Sequence, residues 1–314
     1  MTKIPTMEDF VACADLHIHS KVPKNRKGDY YGQVLTKFGH LLRLTAKYSI
    51  PKLLVVAGDF FDAPNVPYKV ANKVMAMIKE SEVHIMVVPG QHDLRYHVSG
   101  LENTPLGVLQ TSGQVEILTP KMSKTTYGGV SFVGAGWNEE PEEEADVLVM
   151  HRMVTKKGEL WPGQTNYSTA HAIMRKYPWA ECIITGDNHL PHALRWEGRL
   201  QINCGSMVRS TKSQIGFQPR CWLVDTSTWK TKPLKIPCLP DEEVFDFNKI
   251  TIEEMKEDAK AEAEAKIAEF IGTLPKNDKE RPNFKKILGN VVDFAKPKTS
   301  VKNIINETME RVSA

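Results

Sequence analysis

Apolar residues form short continuous runs along the first part of the chain, separated by longer stretches in which they recur with a helical period. The runs at 51–57 and 83–88 have the length and flanking residues of buried strands. The stretches that precede them, 32–48 and 68–78, place apolar side chains three or four positions apart, which predicts amphipathic helices. The order strand, helix, strand, helix, strand predicts parallel strands joined by right-handed crossovers.

Beyond Gly107 the pattern changes to short strands. They are predicted at 115–118, 130–133, 147–150, 182–185, 200–203 and 221–224. The first 238 residues are therefore predicted to form one α/β domain, a sandwich of two sheets with helices outside. Residues 239–314 are rich in charged and helix-forming residues, which predicts a small helical C-terminal region. Its apolar stripes at 284–291 and 301–312 need a partner surface, either within this chain or on another protein.

Charge and composition give expectations about the substrate, the location and the cysteines. Residues 1–240 hold 28 Lys and Arg against 22 Asp and Glu, whereas residues 241–314 hold 13 against 16. The positive balance of the first part suits a polyanionic substrate, although surface lysines alone would give a similar number. No run approaches the roughly 20 apolar residues that span a bilayer, which predicts a cytoplasmic chain without membrane association. The five cysteines are widely spaced, which predicts free thiols.

Acidic, histidine and amide residues directly follow the predicted strands. All ten histidines precede residue 193. In α/β proteins, ligands bind at loops past the carboxyl ends of strands, so these side chains are expected to converge. Each alone reads more simply as a capping Asp or a core His, but their joint occurrence favours a centre for two divalent ions. The predicted ligands are Asp15, His17, Asp59, Gln91, His151, Asp187 and His189.

The residue types predict how the ions are shared. Asp59 lies in a Gly-Asp turn and is the expected bridging ligand, with the ions about 3.5–4 Å apart. One ion is assigned to Asp15, His17 and His189, and the other to Gln91, His151 and Asp187. Mixed nitrogen and oxygen ligands suit Mn²⁺ best, with Mg²⁺, Fe²⁺ and Zn²⁺ as alternatives.

Two further residues are predicted to be catalytic. His92 follows a ligand position and is assigned to a phosphate of the substrate or to the leaving group. Stabilising charge on phosphoryl oxygens or protonating the leaving group suits a group that titrates near neutrality. Asp93 is expected to orient the imidazole of His92, as carboxylates do in other pairs. The roles of four neighbours stay open: His19, Asp62, His97 and His192.

The motifs resemble those of a known family. Asp15-x-His17, Gly58-Asp59-x-x-Asp62, Gly90-Gln91-His92-Asp93, His151 and Gly186-Asp187-x-His189 look like the five motifs of calcineurin-like metallophosphoesterases. The stretch 200–210, followed by Gln214 and Pro219-Arg220, is similar to SbcD-like DNA repair nucleases, including bacteriophage and prophage members.

The resemblance implies a two-sheet α/β sandwich, a dimanganese centre and a water activated by two metals. It also implies 3′–5′ exonuclease and endonuclease action on DNA, a homodimer, and a coiled-coil SbcC-like ATPase partner. The family's DNA-capping domain is expected to be short or missing, so the C-terminal helices are assigned to the ATPase.

Two positions depart from the superfamily pattern. Gln91 stands where Asn is usual, and Asp187 stands where a first His is usual. The carboxylate makes the second ion's shell harder, which favours Mn²⁺ or Mg²⁺ over Zn²⁺. Three alternatives stay open: a phosphoesterase of the PHP type, suggested by the His17-x-His19 pair, a stand-alone phosphatase or phosphodiesterase for small phosphoesters, and a DNA-binding scaffold with a degraded site.

Overall fold

Two six-stranded sheets form the centre of the molecule in a computed structural model that describes residues 9–97, 100–120, 125–161 and 163–251. The strands are β1 (Asp9–Cys13), β2 (Leu53–Ala57), β3 (His84–Val88), β4 (Glu116–Ile117), β5 (Thr125–Tyr127), β6 (Val130–Ala135), β7 (Val147–His151), β8 (Val154–Thr155), β9 (Ser168–Thr169), β10 (Cys182–Gly186), β11 (His192–Trp196), β12 (Arg199–Asn203), β13 (Arg220–Asp225) and β14 (Lys230–Lys235). The two-sheet α/β sandwich predicted from the sequence is confirmed.

Parallel strands occupy the middle of both sheets and antiparallel strands lie at their edges. The first sheet has the order β14-β13-β1-β2-β3-β4, and β1 to β4 are parallel. The second has the order β11-β12-β10-β7-β6-β5, and β12, β10, β7 and β6 are parallel. The carboxyl ends of the parallel strands therefore meet along one edge of each sheet.

The helices form the outer layers. They are α1 (Tyr30–Tyr48), α2 (Tyr68–Ser81), α3 (Pro105–Thr111), α4 (Ala170–Lys176) and α5 (Asp241–Val244). Side chains of β2 alternate between two apolar layers because successive residues of a strand point to opposite faces. Leu53, Val55 and Ala57 pack between the sheets, whereas Leu54 and Val56 pack against α1 and α2. Burial on both faces explains the continuous apolar sequence of this strand.

The prediction missed α3 and α4, each of seven residues. Both begin at a threonine cap: Thr104 Oγ1 accepts from the Gly107 amide at 3.1 Å, and Thr169 Oγ1 accepts from the Ala172 amide at 3.3 Å. A seven-residue helix shows only two turns of a period, so local capping and packing on the sheets define it more than its hydrophobic pattern does.

The compact unit that contains both sheets extends to Phe247. After β14, the chain is fastened by the buried side chain of Arg209, which donates to the Asp241 carboxylate and to the Leu239 carbonyl. The predicted C-terminal stripes at 284–291 and 301–312 lie outside the described residues. Within the described ranges no helix is long and apolar enough to cross a bilayer, and all five cysteines are free thiols.

Candidate metal centre

The two sheets deliver the predicted site residues to one place. The first sheet contributes the loops after β1, β2 and β3, which carry Asp15, His17, Asp59 and Gln91. The second contributes His151, the last residue of β7, and the loop after β10 with Asp187 and His189. Backbone hydrogen bonds join the loops, since the Asp15 amide donates to the Gly58 carbonyl and the His17 amide to the Asp59 carbonyl, each at 3.0 Å.

Four of these residues have a backbone that non-glycine residues rarely adopt. The φ angles are 51° at Asp15, 45° at His17, 51° at Asp59 and 74° at Asp187. Such conformations cost about 1–3 kcal/mol each and persist where the surroundings enforce them, most often at functional sites. Four of the nine non-glycine residues with positive φ in the described ranges are therefore predicted ligands.

Two glycines allow these loops to approach closely. A Cβ on Gly58, whose φ is 90°, would lie 2.0 Å from His151 Nδ1. A Cβ on Gly90 would lie 2.1 Å from Asp59 Oδ1. A larger residue at either position would therefore collide with a predicted ligand, which explains why glycine precedes Asp59 and Gln91.

Asp59 lies at the centre of the cluster, as expected of a bridging ligand. Its Oδ2 atom is 3.8 Å from His17 Nε2 and 3.5 Å from His151 Nε2. Its Oδ1 atom accepts a hydrogen bond from the His92 amide at 2.9 Å. One carboxylate oxygen therefore faces an imidazole from each sheet, while the other holds the loop after β3.

The imidazoles are oriented so that Nε2 faces the centre. His151 Nδ1 donates to the Ala57 carbonyl at 2.8 Å, because a carbonyl can only accept. His17 Nδ1 lies 2.9 Å from Asp62 Oδ1. With the proton on Nδ1, each ring presents the Nε2 lone pair inward, the arrangement that second-shell acceptors give to metal-binding histidines.

The donor atoms fit a cationic occupant. Three triads have ligand atoms within 4.8 Å of one another: Asp15 with His17 and His189, Asp59 with His17 and His92, and Asp15 with Asp59 and His151. His17 Nε2 and His189 Nε2 are 3.3 Å apart, so two nitrogen atoms face each other across the space where a cation would be held. Among the described residues, buried Asp15 Oδ2 has no hydrogen-bond partner.

The first predicted ligand set thus forms a triad, and two members of the second set, Gln91 and Asp187, are hydrogen-bonded to each other. Gln91 Nε2 donates to Asp187 Oδ1 at 3.1 Å, and the Asp187 amide donates to Asp15 Oδ1, also at 3.1 Å. His151, the third member of that set, reaches the cluster through Asp15 and Asp59. His92 belongs to a triad as well, although the sequence assigned it to the phosphate.

Burial and neighbouring charges shift the pKa values of the site residues. Burial raises the pKa of Asp15 to about 7. Burial opposes a charged His151, yet Asp59 and Asp15 raise its pKa to about 10, so a metal ion that binds His151 Nε2 must displace a proton from that atom. Burial and the neighbouring His17 lower the pKa of His189 to about 4, which keeps that ring neutral and able to ligate.

The expected pairing of Asp93 with His92 is wrong. The Asp93 carboxylate accepts from three backbone amides, those of Phe60, Phe61 and Gly90, at 2.9 to 3.1 Å. His92 Nδ1 instead lies 2.9 Å from the Asp62 carbonyl. Asp93 is fully buried and ties the loop after β3 to the loop after β2, so it orients backbone rather than an imidazole.

Asp62 has the orienting role that the sequence left open. Its carbonyl faces His92, and its carboxylate contacts His17 through Oδ1 and His19 Nε2 through Oδ2, each at 2.9 Å. His192 is engaged in β11, where its Nε2 lies 3.1 Å from Gln201 Oε1. The His97 side chain lies outside the described residues. The spacing of Asp62 three residues after Asp59 was the available signal, but only the fold shows which ring it meets.

The stretch after the last motif, residues 200–210, stabilises the loop that carries Asp15. The Met207 amide donates to the Asp15 carbonyl at 3.2 Å, and Ser206 Oγ donates to the same oxygen at 3.3 Å. Lys37 Nζ, from α1, donates to the Met207 carbonyl at 3.1 Å. This stretch therefore fixes the strained Asp15 loop to the helical layer.

Of two neighbouring cavities, the smaller borders the centre. The smaller, of about 190 Å³, has His151 and Asp187 in its wall together with Trp137, Arg152 and Tyr167. The larger, of about 530 Å³, lies beside the loop after β3 and α3. Trp137 and Asn138 line both cavities, so the turn after β6 stands between them.

Comparisons with known proteins identify the family of this chain. The family model for calcineurin-like phosphoesterases matches residues 9–191. No curated protein matches the chain. Similar solved structures include an archaeal phosphodiesterase, with 13% identity over 72% of this chain and 99% of the other and a TM-score of 0.41.

Two further structures are a putative 5′-nucleotidase from Staphylococcus aureus and a phosphopantetheinyl hydrolase from Mycobacterium tuberculosis. The nucleotidase has 15% identity over 81% of this chain and 58% of the other, with a TM-score of 0.46. The hydrolase has 12% identity over 74% and 97%, with a TM-score of 0.41. The family model covers more than half of the chain, and the protein belongs to the calcineurin-like phosphoesterase family.

Proposed function

We propose that this protein is a manganese-dependent DNA nuclease that hydrolyses phosphodiester bonds as a 3′–5′ exonuclease and endonuclease. The observation that carries the proposal is the position of Asp59 Oδ2 between imidazole nitrogens from both sheets, 3.8 Å from His17 and 3.5 Å from His151. Two divalent ions held by the seven predicted ligands would polarise the phosphoryl oxygens and activate water.

His92 acts on the phosphate or the leaving group in this proposal. Its Nδ1 proton is held by the Asp62 carbonyl at 2.9 Å, which leaves Nε2 as the nitrogen that gains and loses a proton. When protonated, Nε2 donates to a phosphoryl oxygen or to the departing alkoxide. The His92 amide is fixed to Asp59 Oδ1, so the ring keeps a constant position relative to the carboxylate.

DNA is the proposed substrate because of charge and sequence resemblance together. Residues 1–240 carry a net charge of +6, which favours a polyanion. The stretch 200–210, which is similar to SbcD-like nucleases, fastens the Asp15 loop through Ser206 and Met207. The proposal extends to a cytoplasmic homodimer whose C-terminal region, 239–314, binds an SbcC-like coiled-coil ATPase in repair and recombination.

The test is Mn²⁺-dependent degradation of end-labelled duplex and single-stranded DNA by the purified protein. Bis-p-nitrophenyl phosphate is assayed alongside, and Asp59→Asn and His92→Ala serve as inactive controls. Loss of DNA ends by the wild type but by neither variant is the expected result.

The other outcomes separate the alternatives. Hydrolysis of the small diester with DNA untouched, both without and with an added ATPase partner, would assign the protein to small phosphoesters. Inactivity on both substrates with every divalent ion tried would leave the DNA-binding scaffold with a degraded site, which a DNA-binding measurement would then examine.

A further inference from the structure

The smaller cavity beside the metal centre has a composition that the metal chemistry does not require. Of its lining residues only His151 and Asp187 are predicted ligands. The remaining wall combines the rings of Trp137 and Tyr167 with two amide side chains, Asn138 and Asn166. Because two predicted ligands line the cavity, a group that occupies it lies beside the candidate metal centre.

The turn that carries Trp137 is held in place. Its amide donates to the Pro89 carbonyl at 2.9 Å, and the preceding Gly136 amide donates to Glu139 Oε2 at 2.8 Å. A Cβ on Gly136 would lie 2.9 Å from the Pro89 oxygen, so the turn packs directly on the loop after β3. The indole centroid is 6.2 Å from that of His151, with the two planes at 56°.

The segments that contribute Met153 and Ser168 to the cavity are also fixed. Asn188 Nδ2 donates to the Val154 carbonyl at 2.7 Å, which ties β8 to the loop after β10. The Ser168 amide donates to the Met153 carbonyl at 3.0 Å and closes the small β8–β9 sheet. The cavity is therefore a preformed compartment between two anchored segments.

Its charge argues against a site for a second phosphate. Arg152 lines the cavity, but its charge is already paired: the side chain donates to Glu140 Oε1 at 2.7 Å and to the Glu139 carbonyl at 3.2 Å. Asp187 adds a carboxylate. A flat aromatic group with hydrogen-bonding edges suits this wall better, because rings stack on it and amides both donate and accept.

We infer that this compartment binds one unpaired nucleoside next to the scissile phosphate, with its base stacked on Trp137. The inference rests on the proposed nuclease function and names the part of the substrate that the site selects. At about 190 Å³ the compartment is smaller than the roughly 300–1,000 Å³ of pockets for drug-sized ligands, which favours a single nucleoside over a base pair. Paired ends are therefore expected to fray before they react.

The experiment is a double-mutant cycle that combines a substitution in the protein with an abasic residue in the substrate. Single-stranded oligonucleotides carry one abasic residue that is moved along the three nucleotides at each end. Wild type and Trp137→Ala are compared by kcat/KM with Mn²⁺, and by fluorescence anisotropy binding in chelator. Stacking on an aromatic ring predicts about a tenfold loss for the wild type at one abasic position, and no further loss at that position in Trp137→Ala.

Matched variants separate stacking from a general effect. Trp137→Phe keeps a ring and is expected to retain the sensitivity to the abasic residue. Trp161, which is 52% exposed and outside the compartment's lining, supplies the control Trp161→Ala, which should behave as the wild type. Tyr167→Ala gives a second test if Trp137→Ala unfolds, with thermal melts recorded for every variant.

The results separate a failure of the nucleoside compartment from a failure of the proposed nuclease function. If the wild type degrades DNA but the losses from Trp137→Ala and the abasic residue simply multiply at every position, the nucleoside compartment is refuted while the nuclease function stands. If the wild type hydrolyses neither DNA nor bis-p-nitrophenyl phosphate, the proposed function fails and the compartment falls with it.

Discussion

β2 and β10 contain only buried residues, whereas the turns that directly follow them contain Asp59 and Asp187 in left-handed conformations. The strands bury apolar surface on both faces, which stabilises the fold by about 25 cal/mol per Å² removed from water. The turns bury carboxylates and imidazoles, which costs free energy unless each is paired. Stability and chemistry are therefore assigned to adjacent segments of the same chain.

Asp93 and Asp15 show the same contrast between two buried carboxylates. Asp93 is satisfied by three backbone amides and fastens one loop to another. Asp15 accepts the Asp187 amide through Oδ1, while its Oδ2 has no hydrogen-bond partner in the described part of the chain. The first carboxylate completes a structure, and the second keeps an atom available for a ligand.

The largest expected effect comes from Asp59→Asn, which removes charge at the centre of the cluster. Activity should fall about a thousandfold, equivalent to about 4 kcal/mol of lost transition-state stabilisation. The variant should still unfold cooperatively, because the strands are unchanged. Asp29→Asn is the matched control: Asp29 caps α1, and asparagine caps equally well, so turnover should not change. Wild-type turnover in Asp59→Asn would remove Asp59 from the centre.

Ile184→Ala tests the strand side of the comparison. Ile184 is fully buried between the sheets, so its truncation should lower the free energy of unfolding by about 2–5 kcal/mol. Turnover per folded molecule should stay within about twofold, measured with denaturant curves alongside kinetics. Val108→Ala on α3, where the side chain is 48% exposed, should have little effect on either quantity. A selective loss of turnover in Ile184→Ala would contradict the separation.

His92→Ala should lower kcat about a hundredfold or more, because general acid catalysis contributes about 10²–10⁴-fold. Mn²⁺ binding by calorimetry should persist, since the other ligands remain. If the variant instead loses an ion, His92 is a ligand, as its triad with His17 and Asp59 also allows. Full activity would remove His92 from the mechanism.

Gly58→Ala tests the steric basis of the centre. The new Cβ would collide with the His151 ring, which should weaken metal binding about 10–100-fold, the range seen when supporting contacts are removed. Gly113→Ala is matched in backbone, because Gly113 has φ 70° but a methyl group there would meet nothing within 4 Å. The control should lose stability through strain and keep its metal affinity. Equal metal affinities in both variants would show that the crowding is unimportant.

The smallest effect concerns Lys37, which supports the Asp15 loop from α1. Burial lowers its pKa to about 8, below the ordinary value of about 10.5. Between these values the unfolded chain holds a proton that the folded chain has released, so stability rises with pH through this window. The wild type should gain about 1–3 kcal/mol more than Lys37→Met between pH 8 and pH 10 in paired denaturant curves. Parallel pH profiles would show that Lys37 titrates normally.

Strong local signals explain the success of the fold prediction. The helices at 30–48 and 68–81 and the strands at 53–57 and 84–88 have long periods or continuous apolar runs. Edge strand β14 was missed because it reads Lys-Thr-Lys-Pro-Leu-Lys, and only its pairing with β13 makes it a strand. Short helix α4 was missed for a similar reason, since contacts with the second sheet define its buried face.

The sequence by itself determined the residue types at the strand ends, and therefore the kind of chemistry and the family. Strand ends of parallel sheets lie on one side, so motif order was enough to predict that the ligands meet. Only the tertiary structure decided which atoms face one another: that Asp62 rather than Asp93 meets His92, and that Trp137 stands beside His151. Such pairings join residues far apart in the chain, and they depend on loop conformations and interatomic distances that no local pattern encodes.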